Sequence, residues 1–183
     1  MPTEILRPNA AGDEENITAV VGDGIGTHYT VVDEVVADDD TSYLLQTGTT
    51  YYRDLYNLGA PSGSGVINWI KVWYRFRNTS VTYDAYCMPA IKTGGTAYNG
   101  SESIQPANDL AYDNYSYQWV TNPQTGVAWT WADLIALQAG VSLKMAGGTA
   151  NSRCTQIYVE IDYLVAMPTE ILRPNAAGDE ENI

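Results

Sequence analysis

The chain has 183 residues, 45% hydrophobic and 17% charged, a globular composition sized for one domain or two very small ones. Its 22 acidic residues outnumber 9 lysines and arginines, and the net charge of −13 opposes binding to nucleic acid or to an anionic membrane surface. One His excludes most imidazole catalysis and most zinc sites, and no apolar run approaches the roughly 20 residues of a spanning helix.

In chain order, the opening MPTEILRPNAAGDEENI has only Ile5-Leu6 as an apolar stretch and does not read as a signal peptide. Residues 3–7, 17–21 and 28–32 read as strands. The GDGIG run at 22–26 reads as a loop, not a phosphate cradle, because no helix is indicated after it. His28 lies in the strand-like HYTVV and reads as a strand residue, not a catalytic one. Asp38, Asp39 and Asp40 form a turn before a strand at 41–46. Three carboxylates in a turn are a weak calcium candidate and the only cofactor option; the plain alternative is a solvated turn.

A strand at 50–57 follows, then the clearest alternation in the chain, VINWIKVWYRFR at 66–77. Period two places Val66, Asn68, Ile70, Val72, Tyr74 and Phe76 on the core side. Ile67, Trp69, Lys71, Trp73, Arg75 and Arg77 fall on the other, which reads as a wet face or an interface. Strands are expected at 80–91, 115–121 and 141–146. A short helix is expected over 130–139, capped by Thr130, with Asp133 at N3, Leu134 and Leu137 inward and Gly140 ending it. The last strand, 153–165, points Thr155, Ile157, Val159, Ile161 and Tyr163 inward. It points Gln156, Tyr158, Glu160 and Asp162 outward. The fold class is all-β: an antiparallel jelly-roll sandwich with one short helix.

Candidate functional side chains are scattered along this framework. Cys87 and Cys154, in separate long strands, form a disulfide candidate for an oxidising compartment, against a reading as free thiols. Asn16, Asn78, Asn99 and Asn114 open glycosylation sequons. Trp69, Trp73 and Trp119 head an aromatic set suited to stacking on sugars or to packing between subunits. Acids such as Asp33, Glu34, Glu102, Asp133, Glu160 and Asp162 are too numerous for a glycosidase pair to be singled out. No enzyme is expected.

Residues 167–183 repeat residues 1–17 letter for letter, and no flexible spacer precedes the second copy. Residues 1–166 therefore read as one unit and 167–183 as the start of the next, a docking strand carrying Ile171 and Leu172 where the first copy has Ile5 and Leu6. The options are a tandem array, separate subunits exchanging strands, or a cloning duplication. The first two are head-to-tail assemblies of the chain with itself.

The phrases LRPN, HYTVVDEVVADDDTSYL at 28–44, NPQTGVAWTWADLIALQAGV at 122–141 and RCTQIYVEIDY at 153–163 occur together. In combination they resemble uncharacterised lectin-like jelly-roll modules of environmental bacterial and phage-associated surface and fibre proteins. The resemblance spans nearly the whole unit and implies a surface, tail or fibre component, with no catalytic residues to transfer. The sequence thus predicts an extracellular or cell-surface filament subunit assembling head-to-tail. The alternative is a carbohydrate-binding module whose partner is a glycan.

Overall fold

A computed structural model describes residues 2–22 and 26–165. Its strands are β1 Thr3–Leu6, β2 Pro8–Glu15, β3 Ala19–Val21, β4 Tyr43–Thr47, β5 Tyr52–Leu58 and β6 Val66–Asn78. They continue as β7 Ala85–Thr93, β8 Thr96–Asn99, β9 Ser103–Gln105, β10 Asp113–Trp119, β11 Gln138–Met145 and β12 Asn151–Leu164. Among the described residues the one α-helix is α1, Trp131–Ile135, and a 3-10 turn spans His28–Val31.

The strands build two antiparallel sheets. The first runs β10-β6-β12-β4-β3, with β1 beside β12; the second runs β2-β5-β11-β7-β8, with β9 beside β7. From β4 onward the chain crosses repeatedly between sheets, so β4-β12-β6-β10 faces β5-β11-β7-β8. That interleaved order is the jelly roll, as the alternation predicted. Pro89 shows how β7 tolerates a proline in mid-sheet. It pairs with Val141 of β11 on one side, and on the other it falls in the gap between the β8 and β9 pairings, where no N–H is needed.

Ile70, Val72, Tyr74 and Phe76 of β6 meet Ile157, Val159 and Ile161 of β12 in the core. Ala139, Val141, Leu143 and Met145 of β11 supply the opposite layer. Each fully buried aliphatic side chain contributes about 1.5–3 kcal/mol by leaving water. Core tyrosines keep polar partners: Tyr74 Oη lies 2.7 Å from Ser103 Oγ, and Tyr56 donates to Asp54 Oδ2 at 2.8 Å.

Bulges correct the strict alternation. Between Asp162 and Tyr163 the β12 register on β6 slips, Trp69 pairing with Asp162 and Ile67 with Tyr163. Ile67 therefore turns inward at 3% exposure, while Val66 is 63% exposed. Asp162, expected outside, is buried and accepts from Asn68 Nδ2 at 2.6 Å. A second slip between Cys154 and Gln156 buries both Cys154 and Thr155.

The capping box of α1 is present, with Thr130 N donating to Asp133 Oδ2 at 2.8 Å and Asp133 N to Thr130 Oγ1 at 3.3 Å. Leu134 and Leu137 are buried as expected. The helix stops early because Gln138 already enters β11. Gly140, expected as a helix end, sits in mid-strand, where an added Cβ would lie 1.9 Å from the Asp54 carbonyl oxygen. Segment 28–32 is a 3-10 turn rather than a strand, and β2, β8 and β9 are additional strands. Among the described residues no helix is long and apolar enough to cross a membrane.

Candidate functional site

The outer face of the first sheet carries the expected Trp and cation row of β6. Lys71 Nζ lies 4.4 Å from the Trp69 ring centre and 5.2 Å from that of Trp73. Trp73 stacks on Tyr158 at 6.1 Å and 18° and donates its Nε1 proton to Glu160 Oε2 at 2.7 Å. Arg7 covers Tyr158 at 4.9 Å. The rings are thus half-buried beneath cations of the same chain. Trp119 is not a surface residue: it is 7% exposed, packs edge-on against Tyr117, and accepts the Trp129 indole proton at its carbonyl at 3.0 Å. A T-shaped pair with Tyr163 and a hydrogen bond to the Gly65 carbonyl hold Trp131.

The aspartate turn folds over this same face. Asp39, at φ 53°, grips Arg75 through two hydrogen bonds of 2.6 and 2.8 Å. Asp40 pairs with Arg77 at 2.8 Å and Arg153 at 3.0 Å, and Asp38 accepts from Ser42 and Thr155. The three carboxylates Asp38, Asp39 and Asp40 diverge to separate partners within the chain. Among the described residues no group of three His, Cys, Asp or Glu is placed to hold a metal ion. Beside the turn, burial raises the Glu34 carboxyl to about 7, and the Ser42 hydroxyl lies 3.0 Å from its Oε1.

Cys87 and Cys154 are both free thiols, fully buried. They lie on β7 and β12 of opposite sheets, and the candidate disulfide is not formed: both sulfurs are free thiols in the core. Burial pushes the Cys154 thiol up to about 12 and the Cys87 thiol well above its ordinary value. Asn78 cannot take a glycan as it stands: it is 0% exposed, and its amide is directed at the carbonyls of Tyr83, Gln105 and Pro106. Asn16, Asn99 and Asn114 are exposed.

His28 is not a lone strand histidine. Its Nδ1 lies 2.6 Å from Asp54 Oδ2, and Asp54 is completely buried. The same carboxylate accepts from the Asn16 and Ile17 amides at 2.6 and 2.8 Å, and from Tyr56. Asp54 therefore ties the 3-10 turn and the end of β2 to the second sheet. The cluster is an anchor with its acceptor sites occupied.

The second sheet's outer face holds the site that local pattern did not single out. There β2 bulges between Ala11 and Glu14 and crosses over Leu55. Asp13 pairs with Lys92 of β7, its amide donates to Gln138 Oε1 at 3.2 Å, and Asn57 donates to the Ala11 carbonyl at 2.7 Å. The Lys92 hydrogen bond holds the Asp13 carboxyl below its ordinary range.

Beside this strap opens a groove of about 400 Å³. Arg53, Ser142 and Met88 form a cross-strand row on β5, β11 and β7 along it. Glu14 and Asn16 line it from β2 and its end, and Tyr51, Tyr52 and Asn99 complete it. Glu14 fixes Arg53 bidentately, both bonds 2.8 Å, and Asn99 Oδ1 accepts a further Arg53 proton at 3.1 Å. At the far end Lys144 sits 4.4 Å from the Tyr51 ring centre. Burial, with the Glu102 hydrogen bond second, raises the Tyr51 hydroxyl well above its ordinary value.

No family model and no curated protein matches this sequence. Among solved structures, an arabinose-bound GH51 α-L-arabinofuranosidase matches at TM-score 0.47 and 12% identity, over 85% of this chain and only 23% of that one. A family 16 carbohydrate-binding module matches at 0.41 and 10%, over 81% of this chain and 89% of that one. The xylan-binding module CBM15 matches at 0.39 and 8%, over 86% and 90%. At these scores the likenesses carry no functional argument, and the chain's own strand order defines its fold.

Of the assembly residues, Leu6 enters the core at 3% exposure and Ile5 remains outside at 44%. Ile171 and Leu172 lie outside the described residues.

Proposed function

We propose that the protein is a non-catalytic, extracellular or surface-attached carbohydrate-binding module whose ligand lies in the groove of the second sheet. The observation that carries this is the fixed Arg53 fork beside Tyr52, which is 41% exposed, in an open groove of about 400 Å³. Sugar recognition needs apolar ring faces next to hydrogen-bonding groups already held in place. Glu14, the acid lining the groove, is committed to Arg53, which removes it from general acid–base work. The test is a glycan array followed by calorimetry, with Arg53→Ala as the probe. Saturable binding that Arg53→Ala weakens supports the groove; binding that the variant leaves intact, or no binding at all, sinks it.

A second reading is favoured by one specific observation, the identity of residues 1–17 and 167–183. It makes the chain a structural subunit of a head-to-tail filament, with the glycan groove as its decoration or not at all. Electron microscopy of native material with denatured intact mass tests it. Filaments of unit mass mean exchanged strands, filaments of many-unit mass a covalent array, and single small particles reject the filament.

A further inference from the structure

Residues 2–17 occupy one composite slot. β1 pairs antiparallel with the free half-edge of β12, Thr3 opposite Asp162 and Leu6 opposite Val159. β2 then crosses to the other sheet and pairs with β5. Leu6 and Ile17 enter the core at 3% exposure each, and Pro8 is buried. Glu4 accepts from the Ser62 and Gly63 amides at 2.7 and 2.9 Å. Everything that docks is repeated: Glu170, Leu172, Arg173, Pro174 and Ile183 stand where Glu4, Leu6, Arg7, Pro8 and Ile17 stand in the first copy.

We infer that this slot is a docking site for segment 167–183, which competes for it with residues 1–17. The inference deepens the assembly reading and rests on it only where docking occurs between molecules. Two arguments carry it. Identical side chains meet identical walls, so the slot has no chemical means of distinguishing the copies. The second copy also follows directly from β12, the strand it would pair with. In the register of β1, Thr169 falls opposite Asp162, leaving the last two residues of β12 and positions 165–168 to turn the chain. A loop of that length closes a hairpin at small entropic cost, and the tether gives the segment a high effective concentration at the slot. These 183 residues then hold one slot and two segments that match it. The segment left out is free to enter the slot of another copy, and repetition of that step gives an open chain.

The test uses the full chain with Leu6→Asp, Leu172→Asp and both together. Competition predicts that Leu6→Asp alone shifts the melting temperature by only a few degrees, because the second copy takes the slot. The double variant falls by about 10 °C or more, since a core leucine is then lost from every occupant. Equal damage from Leu6→Asp and the double variant overturns the inference. Glu160→Cys with Ile171→Cys, added to the Leu6→Asp chain, reads the docking itself at the register of Glu160 and Ile5. An oxidised bond within one chain means docking in cis, which upholds the slot and removes the need for a filament. A bond between chains upholds both. Failure to crosslink, where Glu160→Cys with Ile5→Cys does so in the parent chain, overturns the slot.

Discussion

Both outer faces of the sandwich set cations against aromatic rings, but they differ in what is left over for a ligand. On the first sheet Lys71 and Arg7 lie on Trp69, Trp73 and Tyr158, while the aspartate turn neutralises Arg75, Arg77 and Arg153. On the second sheet the β2 strap covers Leu55 and stops short of Arg53, leaving a groove beside it. A ring under its own cation is already satisfied, by about 0.5–2 kcal/mol depending on exposure. Aromatic content alone therefore does not locate a binding face; what matters is which rings the rest of the chain leaves uncovered.

The largest expected effect comes from removing the anchor of the groove wall. Asp54→Ala strands the Asn16 and Ile17 amides and the Tyr56 hydroxyl. It should cost about 3–5 kcal/mol in chemical denaturation, since several buried donors lose their shared acceptor at once. A cost under about 1 kcal/mol would mean that β2 is held by something else.

Next comes the direct contest between the faces. Arg53→Ala should weaken an array-selected glycan by about 10- to 100-fold in calorimetry, whereas Trp73→Ala should change it by less than about 2-fold. The reverse pattern would move the site to the first sheet.

A pH titration sharpens the description of the first face. Burial raises Glu34 from 4.5 to about 7, so between those values the folded state holds a proton that the unfolded state releases. Stability should therefore fall as pH rises through that window, and Glu34→Gln should flatten that part of the profile. An unchanged profile would show that the carboxyl is not desolvated by the turn.

The smallest effect is Lys71→Met, which removes two cation–π contacts and should cost about 0.5–1 kcal/mol in thermal or chemical unfolding. A larger loss would make the capped rings a principal support of the sheet.

Much of the frame was legible because period two is a local signal. The stretch from Ile70 to Phe76, the Thr130/Asp133 cap and the inward Leu134 and Leu137 all follow from spacing. The same rule misplaced Ile67 and Asp162, because a bulge changes which face a residue takes without leaving a mark in composition. It missed β2, whose PNAAGDEE has no apolar alternation. That strand is held instead by β5, by Gly12 against the Leu55 carbonyl, and by Asp13 reaching Lys92.

The candidate site was less legible than the frame. Its central contact joins Arg53 to Glu14, 39 residues apart, and the strap joins Asp13 to Lys92, 79 apart. Such pairs come together only when β2, β5, β11 and β7 align. Asn78 shows the converse: a sequon is a local motif, but accessibility is a tertiary property.

By itself the sequence determined the all-β class, the core stripes of β6 and β12, the capped helix and the identity of residues 1–17 and 167–183. These depend on neighbours a few positions away or on direct identity. The tertiary structure alone decided which tryptophans are covered, where the three aspartates spend their charge, that Cys87 and Cys154 are buried as free thiols, and where a groove opens. Those outcomes depend on long-range register and on how loops cross the sheets, and neither is written in the spacing of any one strand.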